Sequence, residues 1–281
     1  TLPVIFCSST TAQAGSVIIN GPGSCLEHCI FSGSTLSSVG SGASLSIGPG
    51  CSFSYPPNSG FLVNGQLTAV GSASEPIRFT STGSTNPGSW GSIIFSGSGA
   101  AGSNLTYATV EYGSQVVANS TSNITIQNST FTNVNQGIYF WASTGSILSN
   151  NIVSSTIYHG IVLDGASSVT CNENVITKTS PNLYSGGAII FSGSGGYLWK
   201  NKINGWNWGV GAIWGASPHF MSTSNQWRNN SIRNCLNGLK IYNNSWPVVS
   251  PGFHPYYYGN SIHSNSPYNV YFASGGTLQA S

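Results

Sequence analysis

The chain has 281 residues, of which 39% are hydrophobic and only 4% charged, against about 25% charged in an ordinary soluble domain. Seven Lys plus Arg and five Asp plus Glu leave no field strong enough to gather nucleic acid or an anionic membrane, and no run approaches the roughly 18 apolar residues of a membrane span. Polarity comes instead from 49 Ser, 21 Thr, 28 Asn and 36 Gly, a surface without the charge repulsion that keeps most proteins apart.

The chain opens on an apolar segment without a basic region. It reads as the start of a mature, secreted chain whose signal has been removed. Leu2, Val4, Ile5 and Phe6 form a candidate strand, either capping its own fold or adding to a neighbouring copy. The cysteines are even in number, Cys7, Cys25, Cys29, Cys51, Cys171 and Cys235. An even set suits a disulfide framework in an oxidising, extracellular compartment, with the pairing open. Cys25-Leu-Glu-His28-Cys29 lacks paired CxxC spacing, so no metal site is expected. Residues 1–60 are expected to form an N-terminal cap or first coils, and 61–281 the main body.

Beyond residue 60 the chain repeats. Gly91-Ser-Ile-Ile-Phe-Ser-Gly-Ser-Gly99 nearly recurs at Gly187-Ala-Ile-Ile-Phe-Ser-Gly-Ser-Gly195. A looser phrase, Gly opening a short apolar stretch, recurs at Gly137, Gly160, Gly187, Gly211 and Gly238. In step with it, an Asn precedes an aliphatic residue at Ile152, Val175, Ile203, Ile232 and Ile262. Within each period short segments alternate apolar and polar, as in Ile124-Thr-Ile126, which is strand patterning. Gly and Asn sit where a chain turns, since both tolerate positive φ. Two phrases sharing one period of about 21 to 30 residues predict stacked coils, with stacked Asn forming amide ladders. A β-sandwich, the rival, would not repeat one phrase so regularly.

Leu62-Val-Asn-Gly-Gln-Leu-Thr-Ala-Val-Gly71, Glu75-Pro-Ile-Arg-Phe-Thr-Ser81, Trp90-Gly-Ser-Ile-Ile-Phe95 and Leu105-Thr-Tyr-Ala-Thr-Val-Glu-Tyr-Gly113 resemble the pectate-lyase-like right-handed parallel β-helix superfamily, in its secreted bacterial and archaeal surface-protein branch. The resemblance covers about 62–273 and implies an all-β, right-handed parallel β-helix. It says little about function, because one fold hosts many activities. Enzymes with this fold are polysaccharide lyases or glycosidases.

A glycosidase needs two positioned carboxyl groups, and the inventory is Glu27, Glu75, Glu111, Asp164 and Glu173. Asp164 and Glu173, with His159 and Lys178 nearby, form the sole titratable cluster in sequence. Asp164 in Leu163-Asp-Gly165 reads more simply as a turn residue. A single Asp makes a calcium-assisted lyase site hard to build, and no G-x-S-x-G elbow or phosphate loop occurs. No cofactor is expected. Trp199, Trp206, Trp208, Trp214, Trp227 and Trp246, then Tyr256, Tyr257 and Tyr258, form an aromatic-rich segment. It could serve as core, protein interface or sugar platform, with Trp214 expected to alternate inward. Sequons at Asn104, Asn119, Asn123, Asn128, Asn229 and Asn243 are glycosylation candidates. The reading from these residues is not an enzyme. It is an extracellular structural protein, assembling with copies of itself into a filament, sheath or surface layer, or alternatively a glycan-binding adhesin. A polysaccharide-degrading enzyme centred on Asp164 and Glu173 ranks below both.

Overall fold

The computed structural model describes residues 11–12, 16–19, 29–30, 36–178, 186–220, 230–249 and 261–280. Leu2, Val4, Ile5, Phe6, Cys7, Cys25, Trp227, Asn229 and Tyr256 to Tyr258 lie outside them. Alternation of apolar and polar residues gives 32 short strands among the described residues. They fall into three sheets of 11, 11 and 10 strands. Each strand pairs in parallel with the strands one coil before and after it, so the chain visits the first, second and third sheets in turn. The result is a right-handed parallel β-helix, as expected. Register partners Val116, Ile138, Ile161, Ile189, Val210, Leu239 and Val270 on the first sheet lie 22, 23, 28, 21, 29 and 31 residues apart. Coil length varies because extra residues loop outward without disturbing the stack.

Alternate residues of each strand face inward and stack on their equivalents. On the first sheet Phe95, Ala118, Phe140, Leu163, Phe191 and Ala212 form one buried file, large and small residues interdigitating. On the second sheet the file runs Leu105, Ile126, Leu148, Cys171 and Leu198. That placement corrects the expectation of a disulfide at Cys171. Its thiol points into an aliphatic file, is free, and is pushed by burial to a pKa of about 12. Cys235 is also free and buried at a corner, where its thiol donates to the Arg233 carbonyl at 3.3 Å. Cys51 is disulfide-bonded.

The expected amide ladder is present. Asn151, Asn174, Asn201 and Asn230 stack at the corner between the second and third sheets, at most 1% exposed. The Asn151, Asn174 and Asn201 side-chain amides each donate to the next Asn Oδ1, at 3.0, 3.0 and 2.9 Å, and to a backbone carbonyl. The same Oδ1 accepts a backbone N–H from the coil before, so buried polar groups are paired along the axis. At the corner between the third and first sheets Gly137, Gly160 and Gly209 pass so close to the next coil that a Cβ would lie 2.3 to 2.5 Å from a backbone oxygen. Of the glycines in the repeated phrase, Gly137 and Gly160 are corner residues for that reason.

Candidate active site

At that corner the coils bring together two titratable side chains that lie 19 residues apart in sequence. His159 precedes the first-sheet strand Ile161–Asp164, and its ring lies over the backbone of Gly186 in the next coil, where a Cβ would meet Cε1 at 1.7 Å. The Gly187 N–H donates to His159 Nδ1 at 3.1 Å, which places the neutral ring's proton on Nε2. Lys178 follows the third-sheet strand Val175–Thr177. Its amide donates to the Asn204 carbonyl at 2.9 Å, and Gly205, at φ +82, allows the close approach of the next coil to the Lys178 carbonyl. The Lys178 ammonium donates to the Ile157 carbonyl at 3.1 Å and lies 5.0 Å from the ring of the fully buried Trp206.

Burial holds His159 below the ordinary histidine range, and the neighbouring Lys178 charge pushes it the same way. Burial likewise holds Lys178 below the ordinary lysine range. Two bases that deprotonate more readily than usual, side by side at a partly open corner, are suited to take a proton at moderate pH. Tyr158, 53% exposed, stands beside them.

The outer face of the first sheet continues from this corner. Tyr139 donates to Asp164 Oδ2 at 3.1 Å, and the exposed Trp141 is the register partner of Asp164. Burial, then the Asp164 charge, raise the Tyr139 pKa. Farther along, Trp208 lies over Gly187 and Gly211, with the Lys240 ammonium 3.8 Å from its ring. Tyr242 and Tyr271 flank Lys240 at 5.9 and 5.8 Å. From Tyr139 to Tyr271 this face crosses six coils, about 24 Å at the spacing of paired strands, with aromatic side chains toward its two ends and Val162 and Ile190 between them.

Asp164 and Glu173 do not meet. Asp164 ends a strand of the first sheet, whereas Glu173 turns the chain off the second sheet at φ +59 and pairs with Lys200 at 2.6 Å. Glu111 is occupied by Arg78 and by Thr80 at 2.7 Å. Asp164 thus pairs with Tyr139, Glu173 with Lys200 and Glu111 with Arg78, and among the described residues no group of three or more His, Cys, Asp and Glu could hold a metal. Of the described tryptophans in the aromatic-rich segment, Trp206 is core; Trp199 and Trp208 are half-buried on outer faces, and Trp246 is 46% exposed. Trp214, expected to face inward, is 64% exposed, because a positive φ of 56 turns the chain there. Asn123 alone among the described sequons is exposed, the others being half-buried, and Asn243 has its amide nitrogen buried without a partner.

The model of a family described as "Right handed beta helix region" matches residues 79–222 and 114–281. The chain belongs to that family. No curated protein sequence matches this β-helix significantly. Among solved structures, the β-helix is similar to a DFA-IIIase from Arthrobacter chlorophenolicus A6 in complex with GF2, with 10% identity, 86% of this chain and 72% of that one covered, and a TM-score of 0.43. A second structure of that DFA-IIIase gives 8%, 95%, 76% and 0.40. An alginate lyase from Paenibacillus sp. str. FPU-7 gives 13%, 88%, 100% and 0.27. These solved structures carry enzyme names, contrary to the expectations of a non-enzyme and of a filament, sheath or surface-layer subunit; neither those nor the adhesin alternative is carried further. The sequence places His159 and Lys178 in one cluster with Asp164 and Glu173; the fold keeps Lys178 near His159 at one corner and sets the two carboxylates on different sheets.

Proposed function

We propose that this β-helix is a polysaccharide-processing enzyme whose base is Lys178. The observation that carries the reading is the placing of His159 and Lys178 at one corner, both depressed in pKa by burial, at the edge of an outer face that carries Tyr139 and Trp141 toward one end and Trp208 and Tyr271 toward the other. A neutral Lys178 amine can take a proton from a sugar carbon or hydroxyl. His159, neutral and donating from Nε2, can hold an adjacent oxygen without adding charge. Since Asp164, Glu173 and Glu111 are each engaged by another side chain, proton abstraction is favoured over two-carboxylate hydrolysis. A polymeric substrate and the Cys51 disulfide support placement outside the cell.

The test is incubation of the whole chain with neutral and acidic polysaccharides, following both new reducing ends and unsaturated sugar products. Cleavage that disappears in Lys178→Met and is weakened in His159→Gln is the expected result. Cleavage unchanged in both variants would move the active site elsewhere.

A further inference from the structure

The outer face of the third sheet carries a hollow of about 380 Å³ between the strands Val175–Thr177, Lys202–Asn204 and Ser231–Arg233. Thr177, Lys202, Asn204, Ser231 and Arg233 line it. Register sets Lys202 opposite Ser231 and Asn204 opposite Arg233. The two cations therefore stand on adjacent coils and two residues apart along the strand, about 8 Å between Cα atoms. Both are exposed. Among the described residues neither has an ion pair, whereas Arg78 and Lys200 are matched by Glu111 and Glu173.

Charge along the whole chain sharpens the point. Every acidic residue lies at or before Glu173, and every Lys or Arg except Arg78 lies at or after Lys178. Sequence position is axial position on a solenoid, so the later coils hold the cations and no acidic side chain. Two like charges on neighbouring coils repel; the acidic residue nearest to the hollow along the chain, Glu173, is taken by Lys200. Thr177, Asn204 and Ser231 add neutral hydrogen-bonding groups around the same hollow. Thr177 also directly precedes Lys178, so the hollow adjoins the proposed base.

We propose that this hollow is a subsite for an anionic glycan, with Lys202 and Arg233 each receiving an acid group, carboxylate or sulfate ester, on sugars next to the one that reaches Lys178. The proposal rests on the polysaccharide-processing reading for the ligand being a glycan. Its anion preference stands on the two unpaired cations alone.

The test is affinity electrophoresis of the whole chain through gels containing polygalacturonate, dextran sulfate or neutral dextran, at about 50 and about 300 mM salt. Retardation by one or both anionic polymers, relieved by salt and absent with dextran, is expected. Retention by polygalacturonate alone identifies a carboxylate ligand, and by dextran sulfate alone a sulfated one. The double variant Lys202→Gln, Arg233→Gln should lose about tenfold or more in affinity, while Lys200→Gln, whose cation is already paired, should stay within about twofold. Wild-type affinity in the double variant, or equal retention by dextran, overturns the subsite. Lys178→Met should still be retarded. If anionic polymers are bound through Lys202 and Arg233 but no polysaccharide is cleaved, the enzyme reading fails while the subsite stands. If the double variant cleaves acidic polymers with unchanged KM, the subsite fails while the enzyme reading stands.

Discussion

Lys178 and His159 titrate against their surroundings, and the sign of that effect is measurable. Burial lowers the Lys178 pKa from the ordinary 10.5, so its neutral amine is populated at a pH where a solvated lysine is still charged. Turnover should therefore rise with pH along a limb lying below 10.5, read from kcat/KM against pH; a limb at or above that value would exclude Lys178 as the base. Lys178→Met should reduce turnover by about 100-fold or more, the usual worth of a general base. For His159 the folded pKa lies below the ordinary 6.5, so below that pH the unfolded chain binds a proton the folded chain refuses. Stability should fall as pH drops through 6.5 toward the folded pKa, and His159→Gln should flatten that part of the curve in urea titrations. Cys171 gives a third check at this scale. A buried thiol raised to about 12 carries almost no thiolate, so it should resist alkylation in the native protein and react on denaturation, as mass spectrometry would report.

The corner ladders are the elements that fix coil register. Asn174 donates to Asn201 and to the Leu148 carbonyl, and accepts from the Asn151 amide and side chain. Asn174→Ala leaves the partners buried and unpaired, and each orphaned group costs about 1–3 kcal/mol. A clear fall in urea midpoint is expected, whereas Asn172→Ala, half-buried on the outer face of the second sheet, should leave the midpoint nearly unmoved. This ladder was legible in the sequence because Asn before an aliphatic residue recurs with the coil. The glycine phrase was legible only in part. Gly137 and Gly160 are corner residues, but register sets Ala188 and Gly209 at the equivalent place, two positions from the Gly211 of the phrase. Gly187 and Gly211 instead lie beneath Trp208 on the outer face. A period read from one residue type drifts when coils differ in length. The sequence could not show which members of the cluster share a corner for the same reason: that His159 and Lys178 do, and Asp164 and Glu173 do not, depends on where the coil turns.

At the scale of the molecule a solenoid has no single centre, and each coil is stabilised by its two neighbours. Coils from Val116 to Ala212 have neighbours on both sides, and their inward residues on the first sheet are fully buried. The coil containing Ser261–His263 and Tyr268–Phe272 is different. Ile262 and Val270 are only partly covered, and Phe272 is 47% exposed although it continues the inward file of Ala212 and Ile241. Apolar burial is the main favourable term holding strands in place, at about 25 cal/mol per Å², so an inward file that is half uncovered contributes less per coil. Opening free energies should therefore be graded along the axis. Native-state hydrogen exchange followed by mass spectrometry should find the strongest protection in peptides from 116 to 212 and the weakest in 261–280. Because Lys178, His159 and the Lys202–Arg233 hollow lie within or next to the well-covered coils, the protection of those peptides should persist in denaturant concentrations that already release the last coil. Uniform exchange along the whole length would instead mean that the coils open as one unit, and would remove the argument that the site sits on the rigid part of the stack.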